Sequence, residues 1–292
     1  MTHTLPPPAR AAAPTTTAPT PIAPTTAFAP TAPRRRRLGP GKPIPYGRAA
    51  GPLLVVLVWS VASAAGWLDP RALSAPWTVV ETGIELVANG KLPDSVLASV
   101  RRAGLGFLLG AVVGTALAVA AGLSRVGEAL IDGTVQVKRA IPALGLIPLL
   151  ILWLGIGEGF KVVVIATGVA ITLYIQTHAS LTGIDQRYVE LAEVVGLSRG
   201  QFVRKVVFPG ALPGFFVGLR LGVTGSWLFL IVLEQINATS GIGYLMFQAQ
   251  TYGQSDVILV GLVVYGLFGF TSDALLRLVE RRVLSWRRTL TS

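Results

Sequence analysis

The sequence predicts an all-α, polytopic membrane protein with six transmembrane helices, and three observations carry that prediction. Of its 292 residues, 52% are hydrophobic and only 13% are charged, where a soluble domain carries roughly a quarter charged residues. Mean hydropathy is +0.63, and apolar runs of about 20 residues, the length that crosses a bilayer as a helix, recur along the chain. Lysine and arginine collect on alternate connecting segments, as the positive-inside bias requires.

Taken in order, residues 1–50 are rich in Pro, Thr and Ala and contain Arg34-Arg35-Arg36-Arg37. Such a segment has too little apolar surface to fold, so it reads as a disordered, basic cytoplasmic tail. The arginine run resembles an export signal, but the multispan remainder favours an uncleaved first helix with the tail inside. Residues 51–292 form the membrane domain. The expected spans are Gly51–Leu68, Ala103–Leu123, Ile141–Gly157, Val162–Thr177, Leu212–Leu233 and Val257–Leu276. With the tail inside, about 19 of the 25 Lys and Arg residues fall on the cytoplasmic side, the C-terminus included. The net charge of +11 is then explained by topology rather than by nucleic-acid binding. Arg101-Arg102, at the outer end of the second span, fits this orientation least well.

Between the spans, residues 69–100 are expected outside, with a short helix capped by Asp94 or Ser95 leading into span two. Residues 234–256 are too polar to span and too apolar for a free loop. A re-entrant or interfacial helix after Ser240-Gly241-Ile242-Gly243 fits them. Span two carries Gly106, Gly110, Gly114, Ala118 and Gly122 at every fourth position, and span five carries Gly214, Gly218, Gly222 and Ser226. Spacing of four puts small residues on one helix face, where another backbone can approach closely. Pro142 and Pro148 are expected to bend span three, and Arg220 to snorkel from the inner end of span five. Gln176, Thr224, Trp227 and Glu234 are candidates to line a path, Glu234 because an intramembrane acid is functional by default.

The chain has no cysteine and two histidines, which leaves no thiolate or histidine-built metal centre. It has no Ser-His-Asp set and no GxxxxGK[ST] phosphate loop, so no catalytic residue and no bound cofactor are expected.

The loop at about 180–211 is the charged exception. Asp185 can cap a helix over 186–195, and Gly196 follows as a left-handed terminator. Ser198 and Gln201 have the spacing of a capping box, with Leu197 and Phe202 as its hydrophobic staple. Pro209 and Pro213 are expected to end that second helix. Val189, Ala192 and Val195 would face away from Glu190 and Glu193. Physics alone leaves two readings: a loop lying on lipid headgroups, or a rigid knob docking in a soluble partner.

Glu190-Leu191-Ala192, then Gly196, then Val206-Val207-Phe208-Pro209 resembles the loop signature of ABC importer permeases: Glu-Ala-Ala, three residues, Gly, nine residues, Ile-x-Leu-Pro. Further stretches over about residues 50–290 are similar to the sulfonate, nitrate, taurine and bicarbonate branch. Examples are Ile141-Pro142 through Ile147-Pro148-Leu149, Leu152 through Gly157, and Ser240 through Tyr244. The resemblance implies a type I importer permease in a bacterial inner membrane, working as a pair of copies. It implies a separate ABC ATPase dimer holding ATP and Mg, and a periplasmic or lipoprotein substrate-binding protein. The loop would be the coupling element, with Glu190, Ala192, Glu193, Gly196, Ser198, Gln201, Phe202, Val206 and Pro209 forming or shaping the ATPase contact. The expected cargo is a small oxyanion, first an aliphatic sulfonate, with nitrate, taurine, bicarbonate or a vitamin precursor as alternatives. The rival is a gradient-driven carrier or channel, which has no use for such a loop.

Overall fold

The computed structural model describes residues 47–286. The proline-rich tail and its arginine run therefore lie outside the described residues, apart from residues 47–50, which belong to a separate N-terminal unit. Among the described residues every regular element is helical. Helix α1 is Gly47–Ala64, α2 Pro76–Ala88, α3 Lys91–Leu123, α4 Arg125–Ala140 and α5 Ile147–Leu154. Helix α6 is Glu158–Thr182, α7 Gln186–Val194, α8 Arg199–Phe202, α9 Phe208–Asn237, α10 Ile242–Thr251 and α11 Ser255–Val283. Four stretches are long and apolar enough to cross a membrane, with a fifth if α4 and the bent segment after it act as one span.

Helix α6 is the central element, packed between α3 and α9, and the small-residue stripes explain why. Gly106, Gly110, Gly114 and Ala118 of α3 are all buried. A methyl group added at Gly106 would lie 2.6 Å from Ile165 Cγ2, and one at Gly110 2.5 Å from the Ala166 carbonyl oxygen. On the other side Gly218 and Gly222 of α9 press against Leu173 of α6. Without a hydrophobic driving force between helices in lipid, this backbone proximity is what dispersion contacts need. Phe160, Ile165, Val169, Leu173, Leu230 and Ile242 form the shared core. Helices α2 and α11 form a second cluster through Val79, Leu86, Val257 and Val260.

Several expectations change. The third expected span, Ile141–Gly157, is not one helix. Ile141 is extended, Ala143–Leu146 forms a 3₁₀ turn, and α5 has 8 residues before Gly155 stops it at φ 73°. The pair α4 plus 143–154 is bent by 88°. Pro142 explains the break, since it lacks a donor and pushes the preceding residue out of the helical region. Helix α5 alone reaches about 12 Å, far short of a hydrocarbon core of about 30 Å.

Span two begins earlier than expected. Asp94 and Ser95 do not cap a separate helix; α3 runs 33 residues unbroken from Lys91, after Gly90 at φ 79°. The expected external segment also contains all of α2, which starts on Pro76 in its first turn. Pro209 and Pro213 do not end the second loop helix. Val203–Val207 forms a single π turn that carries α8 directly into α9, and Pro209 falls in the first turn of α9, where a missing N–H costs little. Arg220 does not snorkel freely but pairs with Asp273 of α11 at 2.8 Å. The helix expected after Ser240-Gly241-Ile242-Gly243 is present as α10, packed against α9 and α11.

Candidate functional site

The loop between α6 and α9 folds locally as its residues dictate. Asp185 Oδ1 accepts the Arg187 N–H at 3.0 Å and starts α7. At the far end Leu197 N–H donates to the Ala192 carbonyl and Gly196 N–H to that of Glu193, at 2.9 and 3.0 Å. These are the two bonds of a Schellman motif, and Gly196 supplies its left-handed position at φ 70°. Ser198 and Gln201 then complete a reciprocal capping box, with Ser198 N–H to Gln201 Oε1 at 3.0 Å. Three successive local devices, the Asp185 cap, the Schellman motif and the capping box, therefore fix the chain through the loop.

Ala192 alone of α7 is buried; Glu190 and Glu193 are exposed. Tyr188, Leu191, Val194 and Val195 are also exposed, Val194 at 84%. The apolar surface of α7 thus points outward; of the expected group Val189, Ala192 and Val195, only Ala192 is buried within the chain and the other two are exposed. Phe202 packs with Leu181, Val207 and Ala211 at the base of the loop. Val206 lies in the π turn and is half-buried, as is Pro209. A cleft of about 750 Å³ separates the loop from the ends of α3 and α6. Arg199 bridges it to the Leu123 carbonyl at 3.3 Å.

The four candidate path residues are held in different surroundings. Gln176 is half-buried where α6 meets Gly218 of α9. Thr224 is exposed and donates to the Arg220 carbonyl at 3.0 Å. Trp227 stacks on Phe268 and donates to Ser272 Oγ at 3.2 Å, which fastens α9 to α11. Glu234 is fully buried.

Glu234 is the centre of a charge cluster whose membership sequence reasoning missed. Its carboxylate accepts from Ser99 Oγ, Arg102 Nη1, the Gly243 N–H and Tyr265 Oη, at 2.7–3.1 Å. Arg102 also donates to both oxygens of Glu158 and to the carbonyl and hydroxyl of Ser240. Lys161 Nζ donates to Glu158 at 2.8 Å. All five guanidinium donors are used, and two cations meet two anions. Burial of Arg102, Lys161 and Glu234 is tolerable only because each is paired or hydrogen-bonded, while Glu158 stays exposed. The cluster ties α3, α6, α9, α10 and α11 together at one end of the bundle. It also explains Ser240-Gly241-Ile242-Gly243: a methyl at Gly243 would lie 2.7 Å from Glu234 Cβ, so only glycine lets the start of α10 reach the carboxylate. The missed signal was register. Arg102 is four residues before Gly106, on the same buried stripe.

Among the described residues no group of three or more potential metal-ligating side chains comes together. Comparison with known proteins agrees with the fold. Residues 106–285 match the family described as binding-protein-dependent transport system inner membrane component. The putative aliphatic sulfonates transport permease protein of Escherichia coli is 42% identical over 80% of this chain and 89% of its own. Its Bacillus subtilis counterpart is 35% identical over 84% and 90%. The taurine transport system permease protein of Escherichia coli is 30% identical over 81% and 88%. In fold alone, the chain is similar to a crystal structure of an amino acid ABC transporter with histidines, at TM-score 0.51 and 17% identity, covering 64% of this chain and 92% of that one. With its helical bundle, apolar spans and matched sequence, the chain belongs to the ABC importer permease family of binding-protein-dependent transport system inner membrane components, in the sulfonate, nitrate and taurine branch.

Proposed function

We propose that the chain is the membrane-spanning subunit of an ATP-driven importer for a small oxyanion, with an aliphatic sulfonate as cargo. It would work as two copies crossing the membrane six times each, with both termini and the α7–α8 loop in the cytoplasm. An ABC ATPase dimer would sit below, holding ATP and Mg, and a substrate-binding protein would deliver cargo from outside. The sulfonate assignment is supported by the names of the relatives at 35% and 42% identity.

The observation that carries the coupling role is the outward apolar face of α7 on a preformed, capped knob. Exposed apolar residues held rigidly at a bundle end fit a partner's groove, and Tyr188, Leu191 and Val194 are suited to fill one. Glu190 and Glu193 would supply polar contacts at its rim. Because α8 passes through the π turn into α9, a displacement of the knob moves a spanning helix directly. Gly196 keeps α7 and α8 in fixed relation, so the motion is not lost in the loop.

The test is uptake per ATP hydrolysed by the complete complex in proteoliposomes. Gly196→Pro, which cannot adopt φ 70°, and Glu190→Arg are expected to lower that ratio at least about tenfold, the effect of losing roughly 1.4 kcal/mol of coupling. An unchanged ratio in both variants would leave the loop as an interfacial element.

A further inference from the structure

Among the described residues the buried and half-buried cations are paired, with one exception. Arg102 and Lys161 meet Glu158 and Glu234, and Arg220 meets Asp273. Lys138 is half-buried, yet no ion pair among the described residues includes it. Its position makes this costly. Helix α4 runs back along α3, with Val135 packed in one cluster with Ala118 and Ala121. Lys138 therefore stands about 20 Å along α4 from the α3–α4 turn, beside the apolar middle of α3 and α6 rather than at the turn. A half-buried cation without an ion-pair partner beside apolar spans is costly and is a candidate ion or substrate position.

Two features beside Lys138 indicate what would compensate it. It borders a cleft of about 370 Å³ between α3, α4 and α6, whose walls are otherwise almost wholly apolar, with Val113, Leu117, Val163 and Ile171 among them. The chain then breaks at Ile141–Pro142 and bends by 88°. Discontinuous helices of this kind are tolerated in a membrane where they line a cavity. A cation at the edge of a narrow apolar cleft fits an anion carrying an aliphatic tail.

We propose that Lys138 and this cleft form a binding site for the transported anion, the oxyanion head on the Lys138 ammonium and the tail between α3 and α6. The assignment rests on the proposed importer function and locates its cargo site within the chain. It also accounts for a permease that accepts a tailed sulfonate, since a bare oxyanion would leave the apolar walls empty.

The experiment uses the complete importer in proteoliposomes, with labelled methanesulfonate and octanesulfonate as probes. Wild type should take up both. Lys138→Gln should lower uptake of both about tenfold, the loss of one charge-assisted hydrogen bond, while Lys138→Arg retains most of it. Val113→Trp, which fills the cleft from an exposed wall position, should reduce octanesulfonate uptake several-fold more than methanesulfonate uptake. Co-purification of the ATPase subunit with each variant checks assembly. Equal uptake by wild type and Lys138→Gln would overturn the site while leaving the importer reading intact, and would assign the cleft to a lipid chain. Equal loss of both probes in Val113→Trp would overturn the tail position. No uptake of either probe by wild type would overturn the cargo reading and the site with it.

Discussion

Glu234 shows how far one residue's role depends on what meets it. As an acid in an apolar span it is a functional candidate; in the structure it is saturated by Ser99, Arg102, Gly243 and Tyr265. Removing one partner of such a pair strands the other, at a cost of about 3–5 kcal/mol. Glu234→Leu should therefore lower the melting temperature of the detergent-solubilised protein strongly, and adding Arg102→Met should recover part of the loss. A double variant less stable than Glu234→Leu would show that Arg102 is held mainly by Glu158 and Ser240. Arg102 illustrates legibility at this scale. Its burial could be read from the stripe it shares with Gly106 and Gly110, but its partner lies 132 residues away, and no local pattern encodes a pairing of that range.

At the scale of elements, the small-residue stripes and the caps were legible because each acts within a few residues. Gly106, Gly110 and Gly114 meet α6 as the spacing of four implies, and Asp185, Gly196, Ser198 and Gln201 make the bonds their identities suggest. The effect of proline was legible only in part. Pro142 breaks its segment outright, whereas Pro209 is absorbed where a π turn enters α9. The difference lies in the hydrogen bonds around each ring, which a residue type alone does not specify. The packing account predicts that Gly110→Leu wedges α3 from α6, with a destabilisation of about 1–3 kcal/mol from overpacking visible in thermal unfolding. Leu108→Ala, on the exposed face of the same helix, should change the melting temperature little. Equal shifts in the two variants would contradict the close approach of these helices.

For the whole molecule, the all-helical class and the membrane location followed from composition and run length, which tertiary contacts do not alter. The number of crossings was less legible, because a broken segment such as 141–157 has the hydropathy of a span without its length. The orientation can be measured directly, since the chain has no cysteine and single-cysteine variants report without background. Glu190→Cys should react with an impermeant thiol reagent only from the cytoplasmic face, and Lys91→Cys only from the outside. Labelling of both from one face would overturn the proposed topology.

In the proposed importer the outward apolar face of α7 grips an ATPase subunit. The direct measurement is the amount of ATPase subunit retained per permease when the assembled complex is purified from membranes through a tag on the permease. Replacing Leu191 and Val194 together by aspartate puts two charges where the partner's groove would have to desolvate them. Wild type is expected to retain the ATPase and the double variant to lose most of it, while both insert in the membrane equally. Full retention by the Leu191→Asp, Val194→Asp variant would contradict it.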